Sequence, residues 1–257
     1  MPEMSGAATV PDKYLRKYWS RFMAFGWKLG LALILLVCVS RFVLVLQANT
    51  SGNYAVIGIV MLLSAIIPFI LLNRNGQREI GWKRATNRPW LLIALLSGLG
   101  FSIGLFFIGE FLYGSSIENW YVYIARSYKI PAGMGGNDKL LFFAIIALTG
   151  MTFSPVGEEL FFRGVVHSSF ARSAGDRKAS IVDASAFALV HLSHFGIVYT
   201  DTGWSFLPLP AFIWVSSMFL VSLLFFTCRQ RSGSILGAIL CHAGFNLGMI
   251  WSIFYLL

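Results

Sequence analysis

Long apolar runs alternate with short polar breaks along most of this chain. The runs fall at about 29–47, 54–72, 89–113, 140–166, 181–199, 208–227 and 234–257, and a helix through each is long enough to cross a hydrocarbon core. Pro68 and Pro155 lie inside two of the runs and predict local bends. Residues 1–12 are small and polar and predict disorder. From Lys13 to Lys28, basic residues mix with Tyr14, Trp19, Phe22, Phe25 and Trp27, the composition of a segment lying at a membrane surface. The longest break, 114–139, groups Gly133, Gly135 and Gly136 and is long enough to cover a cavity mouth. The expected fold is all-α: a polytopic membrane helical bundle of about seven transmembrane helices, with 1–28 a cytoplasmic segment and 29–257 one membrane domain.

Composition agrees with that pattern. The chain is 57% hydrophobic and 12% charged, about half the charge of an ordinary soluble domain. Its net charge of +9 does not point to nucleic acid, because the basic residues sit in short blocks between apolar runs. Fifteen of the 20 Lys and Arg fall in alternate breaks, which places the N-terminus in the cytoplasm and the C-terminus outside. Cys38, Cys228 and Cys241 have neither disulfide nor zinc spacing. No cleavable signal and no internal repeat is evident, and the latter disfavours an inverted-repeat transporter.

The candidate chemistry begins at GEELFFRG, residues 157–164. Ionisable groups at membrane depth are costly and usually face a polar cavity. Glu159 and Arg163 are four apart with Glu first, the favourable order for a structural ion pair. Glu158 points about 100° away around the helix, over Phe162, and is expected to have no partner in its own helix. Phe187, His191 and His194 share one face of the fifth run, and His242 and Asn246 share one face of the seventh. His167 is expected at the aqueous end of the fourth helix, and Glu110 at an interface. Arg41 can either snorkel outward or pair inside. By helix rise, Glu158, His191 and His242 lie about 10–15 Å from the cytoplasmic ends of their helices, which suggests one cavity opening toward the cytoplasm.

Two adjacent Glu with Arg four after the second, then Phe with His four later, then His with Asn four later, resembles the ordered motifs of the CPBP family. These are the CAAX-processing and bacteriocin-processing intramembrane proteases, also called the Abi family. The resemblance covers about 140–250 and rests on Glu158, Glu159, Arg163, Phe187, His191, His242 and Asn246. It implies an endopeptidase in which Glu158 and His191 activate water, His242 and Asn246 donate to an oxyanion, and Glu159, Arg163 and Phe187 give support. His242 is expected to act as a donor without titrating. Zinc held by Glu158, His191 and His242 is the alternative to metal-independent catalysis, although the His-Glu-x-x-His signature is absent. The resemblance further implies a peptide or membrane-protein substrate, contact with a lipid bilayer, no nucleic acid, and an integral location, in the first instance in a bacterial inner membrane. The competing readings are a catalytically inactive scaffold or bacteriocin-immunity-type protein on the same fold and, less favoured, a small-solute transporter.

Overall fold

The structure, a computed structural model, describes residues 12–131 and 133–257. The stretch expected to be disordered lies outside these residues except for Asp12, which is anchored. Asp12 accepts hydrogen bonds from the backbone N–H groups of Tyr14 and Phe25, at 2.8 and 2.9 Å. Burial acts to raise its carboxyl, but those bonds and the Arg172 guanidinium outweigh it and hold the group below its usual range.

The long apolar runs are helices: α1 Trp27–Ser51, α2 Ala55–Leu71, α4 Pro89–Tyr113, α6 Gly136–Glu159, α7 His167–Val190, α8 Pro208–Ser232 and α9 Ile235–Tyr255. The short α3 (Arg74–Glu79) and α5 (Trp120–Tyr128) lie in the loops. Exposed Leu36, Ile59, Phe111 and Leu148 line the outer surface, as lipid contact requires. Among the described residues, five helical stretches are long and apolar enough to cross a membrane, and α2, at 17 residues, is a shorter apolar helix.

Two expected boundaries and one expected bend change. The run 140–166 does not end at 166. After α6 it continues through π-helical turns at Leu160–Val166 into α7. Its reversal is at Gly175, whose φ of 77° glycine adopts without strain. A straight helix would separate Phe162 from Phe187 by about 37 Å, yet their ring centroids are 5.4 Å apart, so the chain folds back on itself. The fifth run, expected to 199, stops being α-helical at Val190. There Gly196, with a φ of 115°, admits an antiparallel hairpin of β1 (Ile197–Thr200) and β2 (Gly203–Phe206). Pro68 falls in the last turn of α2 and does not interrupt it.

The loops gather at two ends. At one, Asn73 N–H bonds Tyr14 O, Thr86 N–H bonds Ser232 O and Ile235 N–H bonds Gly81 O, so the basic segments 12–26, 73–88 and 229–234 meet. Arg172 joins them through Phe25 O at 2.8 Å. At the other end, Asn49 Nδ2 donates to Ser193 O and Tyr199 N–H donates to the Tyr123 hydroxyl. The alternation of loop charge therefore corresponds to two faces. Reporter fusions after Lys178 and after Leu257 are expected to report opposite sides of the membrane, the first cytoplasmic; the same side for both would overturn this path.

The largest helix contact is α4 against α9. It depends on glycine: a side chain at Gly244 would overlap the Leu95 carbonyl, and one at Gly98 would overlap that of Cys241. This close approach holds the buried face of α9, with His242, toward the centre of the bundle.

Candidate active site

The acidic motif straddles the change from α-helical to π-helical turns. Such wide turns shift the angular position of every later residue on the helix. Glu158 and Glu159 end α6, whereas Arg163 sits in the wide turn, and all three are buried. Arg163 Nε lies 3.1 Å from Glu159 Oε2, the predicted i, i+4 pair, an ion pair without the alignment of a hydrogen bond. The guanidinium carbon also lies 4.4 Å from the Phe187 ring centroid and 5.1 Å from that of Phe225. These aromatic faces hold a cation that no water reaches. Glu159 Oε1 accepts from His242 Nδ1 at 2.7 Å, and the His242 ring stacks on Phe225. Glu159 thus sits between two basic groups and orients one candidate catalytic histidine.

Glu158 has partners that its sequence context did not suggest. Ser154, one turn earlier in α6, donates its hydroxyl to Oε1 at 2.5 Å, which corrects the expectation of no partner in its own helix. Arg41 of α1 donates from Nη2 to the same oxygen at 3.1 Å, so Arg41 pairs inside and does not snorkel. Oε2 has no hydrogen-bond partner. It faces His191 Nε2 at 3.8 Å. His191 Nδ1 donates to the Phe187 carbonyl at 2.6 Å, which leaves Nε2 of the neutral ring as an acceptor. Two acceptors therefore face each other across a gap.

A cavity of about 350 Å³ adjoins this gap. Glu158, His191, His242 and Asn246 all line it, as predicted, and the apolar part of its wall includes Trp214, Met218 and Met249. Asn246 donates one amide hydrogen to Gly150 O at 2.8 Å. His194 also borders the cavity, with Nε2 at 3.3 Å from Arg41 Nη2. His167 lies elsewhere. It is not at an aqueous helix end but buried, 2.7 Å from Asp183, where it closes the hairpin around Gly175.

The cavity lies toward one end of the bundle. Tyr54, Ile124 and Tyr128 line the cavity, and they belong to the face with α5 and the α1–α2 turn, opposite the basic loops. Phe161, Phe162, Val165 and Val166, in the turns that lead to the basic side, are buried. Cavity and N-terminal segment lie toward opposite faces.

Residues 140–248 match the family model described as type II CAAX prenyl endopeptidase, Rce1-like. This stretch is similar to the Rce1-like domain. It contains every motif residue named above, and it runs from α6 into α9. Arg41, Tyr54 and α5 lie outside it. Comparison with curated proteins and with solved structures gave no match. An endopeptidase family carried on membrane helices supports an intramembrane peptidase acting on a peptide or membrane-protein chain.

Within the Rce1-like domain, Glu158 Oε2 and His191 Nε2 have the chemistry of zinc donors. Among the described residues, however, no three His, Cys, Asp or Glu are grouped to hold a metal ion. Arg41 already supplies a positive charge to Glu158. The donor set does not fit zinc as it stands.

Proposed function

We propose that this protein is an intramembrane endopeptidase of the CAAX-processing type in which Glu158 and His191 activate the attacking water. The observation that carries the reading is the acceptor pair, Glu158 Oε2 and His191 Nε2, 3.8 Å apart at the cavity wall. One water between them gives one hydrogen to each and aims its lone pair at a carbonyl in the cavity. On attack, one of the pair takes the water's proton and later returns it to the leaving amine.

The tetrahedral oxygen then needs donors. Asn246 has one amide hydrogen left after the bond to Gly150. His242 spends Nδ1–H on Glu159, so its Nε2 donates only when the ring is protonated, with Glu159 as counter-charge. Asn246→Ala is expected to lower kcat by about a hundredfold or more, the usual loss of one oxyanion donor. His242→Gln, which offers an amide donor, should retain more activity than His191→Gln, since an amide cannot act as base.

The test is cleavage of peptide libraries by purified protein in detergent, with and without a chelator. Cleavage that survives chelation supports the metal-independent reading. Loss on chelation together with equal loss in both histidine variants would establish the zinc alternative. Absence of cleavage across prenylated and unprenylated peptides would favour the scaffold reading.

A further inference from the structure

The half of the chain outside the Rce1-like domain places one charged side chain against the candidate catalytic pair. We propose that Arg41 is a positioning residue: it fixes the rotation of the Glu158 carboxylate so that Oε2, and not Oε1, faces His191. The inference rests on the reading of Glu158 and His191 as the water-activating pair.

Three observations converge on it. First, Arg41 is 3% exposed in the middle of α1, so nothing but a partner compensates its burial. Second, its contacts are divided: Nη2 lies 3.1 Å from Glu158 Oε1 and 3.3 Å from His194 Nε2. An arginine N–H can only donate, so His194 Nε2 is the acceptor and the ring is braced in one tautomer. Third, α1 is tied again to the same turn, because Asn49 Nδ2 donates to Ser193 O at 2.9 Å. One helix therefore grips both members of the pair, Glu158 directly and His191 through the turn that carries His194. The 3.8 Å gap between Glu158 and His191 is set by α1.

Without Arg41, Oε1 keeps only the Ser154 hydroxyl, which belongs to the same helix and turns with it. The carboxylate is then free to rotate, and the water site loses its fixed width. A displacement of about 1 Å at reacting groups costs on the order of a hundredfold in rate. The loss belongs in kcat, because Arg41 borders the cavity beside Glu158 while the apolar wall of Trp214, Met218 and Met249 is untouched.

The experiment uses the full chain in detergent and the peptide it cleaves best in the library. Arg41→Ala is expected to lower kcat by about a hundredfold with KM within about twofold. Added guanidinium chloride should restore kcat at least about tenfold where the same concentration of sodium chloride does not, because the ion can reoccupy the vacated place. His194→Leu should lower kcat by about tenfold through the lost brace. A kcat for Arg41→Ala within about threefold of the parent, a loss confined to KM, or no specific guanidinium rescue would each overturn the proposal. If Arg41→Ala does not fold, Arg41→Lys decides. It keeps the charge but not the two-way reach, so about a tenfold fall in kcat at an unchanged melting temperature supports the role, and a parental kcat overturns it. Glu158→Gln serves as the reference. An active Glu158→Gln defeats the water-activation reading itself, whereas an inactive one beside an unaffected Arg41→Ala defeats only the positioning role.

Discussion

Glu158→Gln is expected to lower kcat by about a thousandfold or more, the share that a positioned general base contributes. The substitution preserves shape but inverts one hydrogen bond. Arg41 and Ser154 both donate to Oε1, so the glutamine oxygen takes that place and its NH₂ faces His191. The amide then donates to His191 Nε2 and fills the position assigned to water. Some stability is lost too, because Arg41 is left without its counter-charge. That loss should be smaller than the one at Arg163, since Arg41 borders the cavity and Arg163 does not. Steady-state cleavage at matched folded concentration, checked by circular dichroism, measures the effect. Activity within tenfold of the parent would remove Glu158 from the base role.

Arg163→Ala should be the most destabilising of the substitutions considered, by about 3–5 kcal/mol, the cost of leaving a buried charge unpaired. Glu159 is fully buried and would retain only His242. The cage of Phe162, Phe187 and Phe225 would lose its cation, which adds to the cost. Thermal unfolding in detergent reads the change. Adding Glu159→Gln should recover part of it, because the second substitution removes the orphaned charge. A melting temperature for Arg163→Ala equal to the parent's would refute the structural role of the pair.

The legible parts of the sequence were those with local causes. α4 was delimited at both ends, at 89 and 113, because Pro89 suits a first turn and apolar residues continue to Tyr113. The Glu159–Arg163 pair followed from spacing within one helix. The same logic placed Phe187 with His191, and His242 with Asn246. What spacing could not supply was rotation between helices. Arg41 and Glu158 are 117 residues apart, and nothing local distinguishes an inward Arg from a snorkelling one. Ser154 was within reach of sequence reasoning, since it precedes Glu158 by one turn; a hydroxyl at i−4 is the signal. His167 was misplaced because a polar stretch was taken for water, whereas the continuation of the helix to Gly175 buries it against Asp183. The hairpin was hidden because Ile197–Thr200 is as apolar as a helix end, and only the glycines at 196 and 203 mark it.

The Arg41–Glu158 pair also sets a schedule for biosynthesis. α1 emerges from the ribosome 117 residues before its partner carboxylate, an interval of about 6–23 s at ordinary elongation rates. During that time Arg41 sits in a nascent membrane helix with no anion, at a cost of about 2.5–3.5 kcal/mol if it lies at the helix centre. A chain interrupted before α6 would hold that cation without relief, so α1 should leave the bilayer, or be handed to the quality-control machinery, more readily in truncated chains than in complete ones. The same contact that orients the carboxylate would then make retention of the first helix depend on synthesis of the sixth.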